Sequence, residues 1–180
     1  MTTTTEQATT TDAPEGAGQH ALDVLDRYGL LHSFDGPEHE DLIELATDLT
    51  GAELATITLV LPAEGVVRAR VGSQVATIDA AESFTAVTVR DRLHPTVVGD
   101  MTADPRFADN PYVTGHHRVR AYIGVTVSSV EDEPIATVEV FDTRVREWTD
   151  RQVRHMTILG RMVEAHFELR RLLHEAFQGD

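Results

Sequence analysis

The sequence predicts a single α+β domain. Three features carry the prediction: helical apolar spacing at both ends of the chain, two antiparallel hairpins between them, and a long, capped last helix. At 180 residues the chain fits one domain plus a tail, and a domain of that size buries a proper core without covalent staples. Residues 1–18 are dominated by Thr, Gly, Ala and Glu. They cannot bury enough surface to offset the entropy of ordering, so a disordered Thr-rich tail is expected, with the folded domain over 19–180.

From His20 to His32, Leu22, Val24, Leu25 and Tyr28 recur at helical spacing, and Gly29 is placed to end the helix. Asp35 and Glu38 flank Pro37 in a capping-box pattern that opens a second helix, with Leu42, Ile43, Leu45, Ala46 and Leu49 on one face and Gly51 at its end. Two strands follow, over 54–61 and 65–71. In the second, Val67, Ala69 and Val71 are expected to face one way and Val66, Arg68 and Arg70 the other. Residues 80–90 are ambiguous between strand and helix. A short strand over 95–100 leads into a loop rich in Asp, Asn and Pro. The second hairpin pairs 120–130 with 135–141 across Glu131-Asp132-Glu133-Pro134. Thr149-x-x-Gln152 is a capping box for a helix running to about Phe177, roughly 28 residues or about 42 Å. It carries two apolar stripes, Val153-Met156-Gly160-Val163-Phe167 and Leu159-Met162-Leu169-Leu173, the second enclosing His166. One stripe can cover a sheet. The other, at near-heptad spacing, calls for a partner helix.

The chain has no cysteine, which excludes disulfides, thiol nucleophiles, cysteine zinc sites and thioether-linked chromophores. A net charge of −15 argues against binding nucleic acid or an anionic membrane and favours solubility. No apolar run spans a bilayer and the first residues do not read as a secretory signal, so a cytoplasmic location is expected. No nucleophile elbow, phosphate loop or HExxH pattern occurs. His116 and His117 are adjacent and point apart in most backbones, so no metal site is expected there. No local signature marks a haem ligand, and no cofactor is expected.

The segment Arg92–Val127 (RLHPTVVGDMTADPRFADNPYVTGHHRVRAYIGVTV) resembles the middle of a bacterial GAF domain. The opening RYGLL, the strand IATVEVFDTR and the long last helix match in the same order, so the likeness covers about Asp23 to Leu173. It implies a central antiparallel sheet of about six strands, with the terminal helices packed on one face. Loops and short helices would close a pocket on the other. It also implies binding of a small molecule, or protein docking, and dimerisation through the terminal helices.

Carried over position by position, the loop Asp104-Pro105-Arg106-Phe107-Ala108-Asp109-Asn110-Pro111 falls on the pocket lid, and Arg120 and Tyr122 on the strand lining the pocket. Asp104, Asp109 and Asn110 also suit turns and helix caps. Arg120 can hold a carboxylate or phosphate with its fork, or pair with the loop aspartates. Thr85 stands where many relatives have cysteine, which removes a redox role, and the thiol-based reduction of methionine sulfoxide known in some relatives is excluded with it. Glu139 also replaces a cysteine, Ala136 a glycine and Val145 a proline. Glu139 either alternates to a polar face or turns its carboxylate towards a ligand amine. The expected ligand-binding set is therefore Thr85, Asp104, Arg106, Asp109, Asn110, Arg120, Tyr122 and Glu139, with no catalytic residue.

These expectations describe a non-enzymatic, homodimeric sensor that closes its 104–115 loop over an unidentified small molecule and signals in trans to another protein. The alternative is a dimerisation and docking module whose pocket is filled by Val87, Val89, Ile123 and Val125. A cavity of several hundred Å³ lined by Arg120 would favour the first; an exposed apolar patch would favour the second.

Overall fold

A computed structural model of the chain describes residues 15–32 and 37–178. The elements are α1 (Glu15–Arg27), α2 (Pro37–Thr50), β1 (Leu54–Val60), β2 (Glu64–Val71), β3 (Thr77–Asp79), α3 (Phe84–Thr88), β4 (Thr96–Val98), α4 (Pro111–Thr114), β5 (Ala121–Ser128), β6 (Pro134–Asp142) and α5 (Asp150–Gln178). The strands form one six-stranded antiparallel sheet in the order β3-β2-β1-β6-β5-β4. The α+β class and the six-stranded sheet are as expected. No helix among the described residues is long and apolar enough to cross a membrane.

Local signals account for the helix ends. α1 begins at Glu15, five residues before the apolar pattern, and residues 1–14 of the expected tail lie outside the described residues. Gly29 adopts φ 64°, Leu30 N donates to Leu25 O (3.0 Å) and Gly29 N to Asp26 O (2.8 Å). That reciprocal closure needs the left-handed conformation glycine takes freely, and it seats Leu30 against Leu25 in the core. α2 opens on Pro37, a residue preorganised for a first helical position; Asp35, its expected capping partner, lies outside the described residues. At α5, Thr149 N donates to Gln152 Oε1 (2.9 Å) and Gln152 N to Thr149 Oγ1 (3.3 Å), as the capping box predicts.

The two faces of the sheet differ in chemistry. Towards the helices, Ala55-Val140-Ile123, Ile57-Val138-Val125 and Leu59-Ala136-Val127 form apolar rows across β1, β6 and β5. They pack under Met156, Leu159, Val163 and Phe167 of α5 and Ile43 and Ala46 of α2. On the opposite face one row is apolar, Leu54-Phe141-Tyr122-Val98, and two are polar, Thr56-Glu139-Gly124-Thr96 and Thr58-Thr137-Thr126.

Two expectations are corrected and one open reading is settled. A bulge pairs Ile57 with Ala69 but Thr58 with Val67, leaving Arg68 as the extra residue. Val67 therefore lines the polar face while Ala69 joins the helix-side core. The ambiguous 80–90 segment contains α3, and the short edge strand β3 precedes it unannounced. Leu159 belongs to the core stripe of α5, not to the second stripe, because it sits one turn from both Met156 and Val163. The exposed seam is Ile158, Met162, Ala165, Leu169 and Leu172, at alternating spacings of four and three, with Leu173 beside it. Finally, Trp148 Nε1 donates to Val98 O (2.9 Å) beneath the Arg146 guanidinium (4.8 Å from the ring), tying the root of α5 to β4.

Candidate functional site

The polar face of the sheet has no helical layer. α3, α4 and the 99–110 loop cover it instead, and the side chains beneath them form a carboxylate site. Glu139, in the middle of β6, is buried. Its Oε1 accepts from Tyr122 Oη (2.7 Å) and Thr85 Oγ1 (2.9 Å), and its Oε2 from Thr58 Oγ1 (3.0 Å) and Thr56 Oγ1 (3.1 Å). These four donors are all hydroxyls, so the charge is solvated without a cation. Charge-assisted hydrogen bonds are what make such a burial tolerable. The network continues from Tyr122 to Thr88 (2.7 Å) and from Thr85 to Thr137 (3.2 Å), so both ends of α3 are pinned to the sheet. Burial, and then the charge of Glu139, push the Tyr122 hydroxyl well above its ordinary pKa of 10.0, which keeps it a donor. Gly124 makes this geometry possible: a Cβ there would collide with the Tyr122 hydroxyl and with Thr88 Oγ1.

Next to the carboxylate stands an aromatic cluster. Phe84 of α3 lies 5.5 Å from Phe107, 5.5 Å from Tyr122, 5.9 Å from Phe141 and 6.1 Å from Tyr112, ring centre to ring centre. Between this cluster and β1–β3 is a cavity of about 80 Å³, with Thr56 and Phe141 at its floor and Glu82, Tyr112 and His117 at its mouth. It has room for only a few waters and is smaller than the ~300–1,000 Å³ typical of ligand sites. His117 stacks between Tyr112 (4.9 Å) and His116 (3.9 Å). Desolvation, and then the neighbouring His116, hold His117 below its ordinary pKa. Burial and the charge of Glu82 raise that of Tyr112.

Of the eight residues singled out in the sequence, the structure brings three together: Thr85, Tyr122 and Glu139. Glu139 does alternate to the polar face, as one of its two readings expected, but α3 covers that face, so the carboxylate is buried rather than solvated by water. The loop residues do local work. Asp104 accepts from Arg106 N (2.9 Å) and binds the Arg106 guanidinium (2.7 Å), whose hydrogen bond lowers the Asp104 pKa. Asn110 caps α4 by accepting from Tyr112 N (2.9 Å) and donates to Glu82 O (2.7 Å), while Asp109 is exposed. Arg120 donates to Val113 O (2.8 Å) and Val119 O (2.9 Å) and does not line the cavity. The expected apolar filling is corrected in part: Val87 packs against the cluster, but Ile123 and Val125 face the helices, and aromatic rings occupy most of the space. Thr56, Thr58, Phe84, Tyr112 and His117 were not anticipated as site residues. The alternation of Thr56 and Thr58 with apolar neighbours was the one signal available for them.

Two solved GAF domains superpose on this arrangement. That of a phosphoenolpyruvate-protein phosphotransferase from Acinetobacter is 12% identical, covering 87% of this chain and 95% of its own, with a TM-score of 0.62. The blue-light absorbing form of the PixJ GAF domain from Thermosynechococcus elongatus is 13% identical, covering 87% and 94%, also with a TM-score of 0.62. The chain folds as a GAF domain.

The same GAF fold occurs in a free methionine-R-sulfoxide reductase from Neisseria meningitidis solved with its substrate (17% identical, 92% and 98% covered, TM-score 0.64). No family model matches the sequence. Over 142 residues it is 29% identical to a cyclic di-GMP phosphodiesterase from Pseudomonas aeruginosa, covering 78% of this chain and 24% of that protein. The chain thus spans about a quarter of the length of this curated relative. The expectation of a non-enzymatic domain is overturned by these comparisons, because a reductase shares the GAF fold and the curated relative is a phosphodiesterase.

Proposed function

We propose that this GAF domain is a signalling sensor that takes a small molecule with a protonated amine and an apolar body into the space between α3, Tyr112 and the sheet. The observation that carries the reading is the Glu139 carboxylate, buried under an aromatic cluster and solvated by four hydroxyls with no cation among them. Aromatic faces beside an anion suit an organic cation. A ligand ammonium would supply the missing counter-charge in a low-dielectric site, where it is worth far more than in water. The 80 Å³ cavity reaches Thr56, a donor to Glu139, but not Glu139 itself. Entry requires α3 to tilt off the sheet, breaking its hydroxyl contacts, so that ligand binding and α3 position are one equilibrium. The exposed seam on α5 supports a homodimer that relays this change to a partner protein.

Native mass spectrometry of the freshly purified protein, followed by denaturation, tests the reading. The expected result is a dimer carrying a small cationic molecule that is released on denaturation, together with a thermal-shift response to primary amines that weakens at least about tenfold in Thr85→Val. A co-purified anion, or amine binding unchanged in that variant, overturns it.

The docking alternative also has an observation in its favour, the smallness of the cavity together with the apolar α5 seam. A clean apo dimer with no response to any amine would favour it.

A further inference from the structure

Away from the pocket, the first turn of α2 meets the middle of α5. There Glu38, His39 and His166 each bring one potential ligand atom to within 4.8 Å of the others. His39 is buried, and Glu38 and His166 are partly exposed. The two imidazoles stand at 88° with ring centres 4.7 Å apart. His166 Nε2 lies 3.7 Å from Glu38 Oε1, too far for a hydrogen bond. That nitrogen is inaccessible to solvent and makes no hydrogen bond among the described residues. Native proteins seldom leave a polar atom so placed.

The spacings match a different kind of contact. Ligand atoms held about 2.0–2.1 Å from one tetrahedral ion lie about 3.3 Å apart, and two imidazoles so bound have ring centres about 5 Å apart. The ring-centre separation approaches its value, and the ligand atoms, 3.7 Å apart at Glu38 and His166 and within 4.8 Å across the set, must draw in by up to about 1.5 Å. Glu38 keeps its side chain partly exposed, so its carboxylate is available as an anionic ligand. Arg170 faces the same carboxylate and opposes a cation, which limits the affinity.

We propose that Glu38, His39 and His166 form a binding site for one divalent transition-metal ion. Two imidazoles and one carboxylate suit zinc, cobalt or nickel rather than calcium or magnesium, which take oxygen shells. Solvent completes the coordination. The ion would clamp α2 to α5 on the helix side of the sheet, independently of any ligand in the aromatic pocket.

The test uses the full chain without an affinity tag, stripped of metal by chelator and titrated with cobalt(II). The expected result is a visible ligand-field absorption saturating at one cobalt per chain and displaced by zinc. Zinc at about a hundredfold excess over its Kd should raise the melting midpoint by roughly 5–10 °C. His166→Gln and Glu38→Gln sit at partly exposed positions and retain the fold. The first should abolish the absorption, and the second should weaken binding at least about tenfold. A double variant, His116→Gln with His117→Gln, should leave the titration unchanged, because that pair lies at the mouth of the pocket. Absence of the cobalt bands, or bands that survive His166→Gln and vanish in the double variant, overturns the proposal.

Discussion

A buried carboxylate without a cation is held in place by how many donors reach it, and at Glu139 the number depends on one missing methyl group. Tyr122 lays its hydroxyl across the backbone of Gly124 to reach Glu139 Oε1 and Thr88 Oγ1. Gly124→Ala would drive the ring away, overpack the row and remove one charge-assisted hydrogen bond. Overpacking costs about 1–3 kcal/mol and a hydrogen bond to a charged group about 1.5–3. A loss of about 3–5 kcal/mol is therefore expected in urea denaturation, together with a weaker near-ultraviolet tyrosine signal. A loss below about 1 kcal/mol would mean that the hydroxyl cage is not what holds Tyr122.

At the scale of the element, α5 has one face committed to the sheet and one that is not. Met156, Leu159, Val163 and Phe167 are buried, whereas Met162, Leu169 and Leu172 are each about half exposed. A dimer that uses this seam should be split by Leu169→Glu, which removes an apolar seam contact and places a charge there. Light scattering after size exclusion should read half the wild-type mass, with an unchanged circular dichroism spectrum. A dimer that persists would place the interface elsewhere. Elements of this kind were legible in the sequence because their determinants are local: the Thr149–Gln152 box, the Gly29 closure, and both hairpins with their turns. What was not legible depends on pairing across the sheet. The one-residue bulge at Arg68 reverses which face Val67 takes, and no pattern within β2 announces it. Alternation with Thr137 puts Glu139 on the polar face but does not say whether that face is covered. It can be buried because Thr56 and Thr58, more than eighty positions earlier, stand beside it. Phe84 was hidden in an ambiguous segment, so the aromatic half of the site was not visible either.

For the molecule as a whole, the tyrosines set an alkaline limit. The chain has three, and all are raised above the ordinary value: Tyr28 and Tyr112 chiefly by burial, and Tyr122 by burial and then Glu139. A raised folded-state pKa means that the unfolded chain loses its proton first. The stabilisation is therefore complete below about pH 10 and is lost as pH rises beyond it, by at most about 1.4 kcal/mol per unit for each tyrosine. The urea midpoint should be level from about pH 8 to 9.5 and fall above 10, with a shallower fall in Tyr122→Phe. A midpoint that stays level to pH 11 would contradict the buried state of these hydroxyls. One other aromatic side chain bears on how the molecule can be observed. Trp148 is the only tryptophan in the sequence, and it bridges the carbonyl of Val98, on the edge strand β4 beside the aromatic cluster, to the root of α5. The protein therefore carries a single tryptophan, selectively excitable apart from the three tyrosines, at a junction between the pocket face of the sheet and α5. A shift in its emission on mixing with a candidate compound would report movement at that junction in real time, without a label and without a known output.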